Sequence, residues 1–203
     1  MPEGIFDPLD YRNVAASVVS ALLARPVGPL PPPEPFRGGG VYAIYYRGNF
    51  PAYRAIKKAD TPIYVGKAVP KGGRIGTSTV GEDLDSLAML EPDPGQSLLK
   101  RLRDHAKSIT EAENLELSEF ECRYLAVTPI WIVVAEGVLI QKFRPAWNVF
   151  VNGFGNHHVG TTRFGQKRTE WDTVHPGRSW ATTMQPCAMT KEQILARVMA
   201  ATQ

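Results

Sequence analysis

Two short runs constrain this chain more than anything else in it: VYAIYYRG at 41–48 and PIYVGK at 62–67. Both are rich in Tyr, Ile and Val and are short enough to be single strands, so residues 41–46 and 62–66 are expected to be strands. FECRYLAV, residues 120–127, gives a third. Helical patterns at 97–109 and 128–143 lie between and after them. The runs also raise a chemical question. Tyr42 and Tyr64 read equally well as core aromatics of a hairpin or as the two hydroxyls of a reaction centre.

The chain has 203 residues, of which 43% are hydrophobic, enough for one domain with extensions and a proper core. No apolar run reaches the roughly 18 residues of a membrane span. The start, MPEGIFDPLDYRN, lacks the basic, then apolar, pattern of a signal peptide, and a cytoplasmic location is expected. Cys122 and Cys187 lack metal-ligand spacing and read as reduced thiols. The net charge of +3 does not by itself argue for nucleic acid. Its distribution says more: residues 41–110 carry 11 Lys and Arg against 7 Asp and Glu, and residues 149–203 carry 6 against 3. Residues 111–148 carry 3 against 6. Positive charge therefore gathers around the tyrosine motifs and in the tail, which suits a polyanionic ligand as well as a mixed surface.

Residues 1–39 read as an arm. Asp7 is placed to cap a helix that has Pro8 at its first position and Leu9, Val14, Val18, Leu22 and Leu23 on its apolar side. Pro26 ends that helix. GPLPPPEPFRGGG follows, stiff at the prolines and flexible at the glycines, so the arm can pack on a partner subunit or on its own domain. Residues 40–148 form the expected core, with a long loop over 68–96 that holds a short helix near Leu84–Met89. Residues 149–203 form an irregular, polar extension. A last helix begins near Thr190, where Thr190 and Gln193 have capping-box spacing.

Between 97 and 109, Leu98, Leu99, Leu102, Ala106 and Ile109 make one apolar stripe, with Lys100, Arg103 and Lys107 opposite. Arg101 and His105 stack one turn apart on the border of the stripe, placed either to enter a cleft or to cover the core. In PIWIVVAEGVLIQKF, Glu136 is the one acidic residue of a helix expected to be buried nearly all round. A lone buried carboxylate costs several kcal/mol unless it has a partner. A metal ion, Arg101 or a retained proton would serve. Asn148, after Pro145, reads as a turn former or as a residue folded back towards the same cleft.

Taken in order, Gly40-Val41-Tyr42, Tyr64-Val65-Gly66, Arg101 with His105, Glu136 and Asn148 resemble the motif series of the GIY-YIG nuclease superfamily, with Val for Ile in both halves of the name motif. The stretches IYVGKAVPKGGR and NGFGNH, and HPGR with Trp180, further resemble the type II restriction endonucleases of this superfamily that cut CCGCGG. The resemblance implies an α+β fold, with a small three-stranded antiparallel sheet flanked by helices. It also implies one Mg²⁺ per site held by Glu136, with Mn²⁺ as a substitute, and a homodimer on double-stranded DNA alongside a cognate DNA methyltransferase.

Carried over by that resemblance, Tyr42 takes the proton of the attacking water, as a phenolate base or as a relay to His105. Tyr64 orients the water or the phosphate, Arg101 offsets charge on phosphorus, and Asn148 steadies Glu136 or the phosphate. Lys67, Lys71, Arg74, Arg163, Lys167, Arg168 and Arg178 are the basic residues available to DNA phosphates and guanine edges. Three other readings compete: a repair or homing nuclease of the superfamily, a catalytically silent DNA-binding module, and an HNH-type centre at Asn156-His157-His158.

Overall fold

The computed structural model describes residues 11–70, 95–156 and 166–202. The chain is α+β: a four-stranded antiparallel sheet lies between helices on both faces. In chain order the elements are α1 (Tyr11–Leu23), β1 (Gly28–Pro29), β2 (Gly40–Tyr46), α2 (Arg54–Lys58), β3 (Tyr64–Ala68), α3 (Ser97–Glu111), β4 (Phe120–Ala126) and α4 (Pro129–Phe143). The short α5 (Ala146–Val149), α6 (Glu170–Val174) and α7 (Ser179–Thr182), and then α8 (Lys191–Thr202), complete it. The sheet order is β1-β4-β2-β3. The three expected strands are present, and a two-residue strand from the proline-rich linker adds a fourth by pairing Gly28 and Pro29 with Cys122 and Glu121.

β2 is central and buried along its whole length. Its side chains alternate between faces, as the pleat requires. Tyr42, Ile44 and Tyr46 point to one core with Tyr64, Leu98, Leu102 and Trp147. Val41, Ala43 and Tyr45 point to the other, with Val65, Ile132, Ala135 and Leu139. The first face is closed by α3 and by the extension, since Val151, Phe154, Trp171, Val174, Ile194 and Val198 belong to the same core. The second face is closed by α4 and α1.

The arm packs on its own domain: Val19 and Leu22 are buried with Ile132 and Leu139. The apolar side that the sequence offered to a partner is thus partly used within the chain. Asp7, Pro8 and Leu9 lie outside the described residues, as do the short helix expected near Leu84–Met89 and most of the long loop. The α3 stripe is buried as its spacing requires, and Lys100, Arg103 and Lys107 are exposed. The capping box at α8 forms in both directions: Thr190 N–H donates to Gln193 Oε1 at 2.9 Å, and Gln193 N–H donates to Thr190 Oγ1 at 3.3 Å.

α4 corrects an expectation. It is not buried all round: Ile132, Ala135 and Leu139 face the sheet, while Ile130 and Val133 are 70% and 57% exposed. A helix in an outer layer buries one stripe, and apolar composition alone does not say whether the chain itself covers the opposite side. No helix among the described residues is long and apolar enough to cross a membrane.

Candidate active site

Strand register builds the first half of the site. Tyr42 lies opposite Gly66, and Ile44 opposite Tyr64, so both phenols stand on the same face of adjacent strands. The rings are 6.2 Å apart. A Cβ at position 66 would overlap the Tyr42 hydroxyl, which is why this strand position must be glycine. α3 crosses this face and presents the second half. His105 is fully buried, and its Nε2 lies 2.5 Å from the Tyr42 hydroxyl. Arg101, one turn earlier, is half-buried and donates from Nη2 to the Gly155 carbonyl at 3.0 Å.

Burial dominates the electrostatics here. Tyr42 is completely buried and Tyr64 is 9% exposed. Burial pushes the Tyr42 hydroxyl well above the ordinary tyrosine value and the neighbouring Tyr64 adds to the rise, while the Arg101 guanidinium opposes it. Tyr64 is raised for the same first reason, again with Arg101 pulling it down. The negative charge of Glu136 raises both phenols, so the carboxylate is electrostatically within reach of the pair. A free phenolate is therefore not the resting form of either tyrosine.

Glu136 approaches from the opposite face of the sheet, around the edge strand. Along β3 the side chains alternate, so Lys67 shares a face with Val65 and meets α4. Its ammonium donates to Glu136 Oε2 in an ion pair with side chains 35% and 19% exposed. The expected partners of this carboxylate were a metal ion, Arg101 or its own proton; the side chain that meets it is Lys67. Gly137, beside Glu136, leaves open space.

Asn148 does not touch Glu136. Its Oδ1 accepts from Val65 N–H and its Nδ2 donates to Val65 C=O, both at 2.8 Å. It lies in α5, where the chain resumes a helical turn after Arg144 takes a left-handed conformation with φ of 44°. The amide thus fixes the strand between Tyr64 and Gly66.

The basic residues divide. Lys167 is exposed and forms an isolated parallel bridge with Gln185. Arg168 donates to the Ala181 and Thr182 carbonyls. Arg178, expected among the DNA-contacting cations, is 1% exposed. It donates to Asp172 Oδ1 at 2.6 Å and to the Gly153, Phe154 and Asn156 carbonyls at 3.1, 3.3 and 3.0 Å. So buried an arginine, with most of its donors spent inside the chain, is not open to a phosphate, which corrects that expectation. Lys71, Arg74, Arg163 and the histidine pair 157–158 lie outside the described residues.

Two features escaped reasoning from sequence alone. The Phe154 ring stacks on His105 at 4.6 Å and 18°, and meets Tyr64 edge-on at 4.9 Å. The only prior sign of this was the resemblance at NGFGNH. Farther in, a buried chain of hydrogen bonds joins the core to the extension. Asn114 Nδ2 donates to the Val174 carbonyl, so Asn114 Oδ1 is the acceptor for His175 Nδ1–H at 2.9 Å. His175 Nε2 then accepts from the Tyr53 hydroxyl at 2.7 Å, and Tyr53 oxygen accepts from Trp147 Nε1–H at 3.0 Å. Only neutral His175 satisfies this series. Burial first, and the Lys191 charge second, hold its value down at about 3.

Among the described residues no cluster of three or more His, Cys, Asp or Glu side chains could hold a metal ion. No curated protein matches the chain. A family model does match, the Eco29kI GIY-YIG domain, over residues 34–202, which includes the sheet from β2 onward, α3, α4 and the whole extension. The chain therefore belongs to the Eco29kI GIY-YIG domain family of type II restriction enzymes and is a nuclease of restriction-endonuclease type.

Proposed function

We propose that the protein hydrolyses double-stranded DNA at a specific GC-rich palindrome, CCGCGG by resemblance, with one Mg²⁺ per site and a tyrosine-activated water. The observation that carries this reading is the convergence of Tyr42, Tyr64, Arg101 and His105 on one face of β2 and β3, with Glu136 at the strand edge.

The donor set suits Mg²⁺. A carboxylate that already attracts a cation, outside any cluster of three or more candidate ligands among the described residues, suits an ion that keeps most of its water and takes phosphate oxygens. Glu136 would hold it, and when bound it supplies polarisation of a phosphate oxygen and stabilisation of the leaving O3′.

Chain residues do the rest. The attacking water gives its proton to the Tyr42 oxygen as the Tyr42 hydroxyl proton passes to His105 Nε2. The relay is favoured over a standing phenolate because burial raises the Tyr42 hydroxyl, while a short hydrogen bond to an imidazole offers the proton a destination. Oxygen then attacks phosphorus and the P–O3′ bond breaks. Arg101 sets its positive charge against the charge that grows on the phosphoryl oxygens, and Tyr64 orients the water. With a cation at Glu136, Lys67 would be available to pair with a phosphate. A homodimer matches the two equivalent strands of a palindrome, and a methyltransferase partner would protect the host's own sites.

Plasmid incubation tests the reading. Discrete fragments are expected with Mg²⁺ and none with EDTA. A smear of nicked DNA would favour a nonspecific nuclease, and retardation without cutting would favour a silent DNA-binding module. Glu136→Gln should abolish cleavage while leaving sequence-specific binding in place; normal turnover would refute the metal assignment. Tyr42→Phe should lose about 10²–10⁴-fold in rate with little change in thermal stability, and an unimpaired rate would return Tyr42 to the core.

A further inference from the structure

The segment Gly153–Asn156 is bound by two arginines. Three of its four carbonyls, those of Gly153, Phe154 and Asn156, accept from Arg178. The fourth, of Gly155, accepts from Arg101 at 3.0 Å. The backbone between them has little freedom, because the direction of the Gly155 carbonyl is set once its neighbours are held. The same segment carries Phe154, whose ring lies flat on His105. It also brings the Gly155 backbone so close to Tyr64 that a Cβ there would sit 2.7 Å from the Tyr64 hydroxyl.

Arg178 is itself rigidly placed. Its guanidinium lies between the Trp171 and Trp180 rings, 4.4 and 4.6 Å from their centroids. Asp172 holds its Nε, and the other Asp172 oxygen accepts from Thr169 Oγ1 at 2.6 Å. We propose that Arg178 is a positioning residue of the catalytic centre: through the Gly153–Asn156 carbonyls it fixes the acceptor that aims Arg101 and the ring that seats His105. The chain of contacts runs from Asp172 through Arg178 and the segment to Arg101 and His105, and gives the extension a part in catalysis without touching DNA. The inference rests on the reading of Arg101 and His105 as reactive residues given above.

Lysine at 178 retains the charge on Asp172 but has no planar fork for three carbonyls. Arg178→Lys is therefore expected to lower the single-turnover cleavage rate about 10- to 100-fold, as misplacement of catalytic groups does, with DNA affinity in EDTA unchanged. The deciding measurement is a double-mutant cycle with Arg101→Lys, read in rate per DNA-bound, folded enzyme. If Arg178 acts in part through Arg101, Arg178→Lys costs less rate in the Arg101→Lys background than in the parent enzyme. A merely structural role would leave the rate per folded, DNA-bound enzyme unchanged whatever the loss in melting temperature, and independent action would multiply both losses in full; either result overturns the inference. If Arg101→Lys alone cleaves at full rate, the reading of the site fails first and this inference falls with it. If Arg101→Lys is slow while Arg178→Lys multiplies that loss, only the inference falls.

Discussion

Asp172 and Arg178 pair with each side chain 1% exposed, whereas Glu136 and Lys67 pair with 19% and 35% of theirs open to solvent. The contrast extends beyond exposure. Arg178 uses its planar fork on a carboxylate and three carbonyls, flanked by two indole rings. Lys67 is a single ammonium on a flexible stem at the edge strand. One pair cannot exchange partners without unpacking the core; the other is partly open to solvent. The lesson is that charge near the centre of a nuclease need not face DNA. The arginine most fully surrounded by acceptors holds the segment behind the site, and the lysine beside the motif glycine is the more open cation.

Asp172→Asn should break the buried pair and cost about 3–5 kcal/mol in urea unfolding, because it leaves an uncompensated buried guanidinium. A loss below 1 kcal/mol would place the two pairs in one class. The buried relay behind Phe50 and Trp147 offers an independent measure of how closed that side is. His175 has a value of about 3 in the fold against 6.5 as its ordinary value, so its contribution is complete above pH 6.5 and is lost as pH falls towards 3. Stability should therefore fall by about 1.4 kcal/mol per pH unit across that window from this one group. His175→Phe should flatten the slope whatever its offset in stability, and an unchanged slope would show that His175 is protonated in the folded protein. The smallest effect belongs to the open pair. Lys67→Met should change stability by about 1 kcal/mol or less, yet lower the Mg²⁺ concentration that supports cleavage, since it removes the competitor for Glu136. A higher Mg²⁺ requirement would instead make Lys67 part of the cation's site.

Much of this architecture was legible in the sequence. β2, β3 and β4 follow from Tyr, Ile and Val in short runs, and α3 from five apolar residues at helical spacing. The places of Tyr42 and Tyr64 followed from those strands, and those of Arg101 and His105 from the border of a helical stripe. What stayed hidden depends on long-range register. That Lys67 meets Glu136 requires knowing that odd-numbered residues of β3 face α4. That Asn148 grips Val65 requires knowing where a chain leaving α4 returns. Arg178 reads as an ordinary surface cation until Trp171, Trp180 and three carbonyls are brought around it. The exposed side of α4 was misjudged because apolar composition reports affinity for burial and does not identify the covering surface.

The grip of Asn148 on Val65 has a consequence for what position 148 can tolerate. One planar amide stands in for a neighbouring strand, offering an acceptor to the N–H and a donor to the C=O of the same residue. Aspartate has the size but would set a second oxygen against the carbonyl, and glutamine has the chemistry but is one methylene too long. Length and the pairing of one acceptor with one donor together select the side chain at that site.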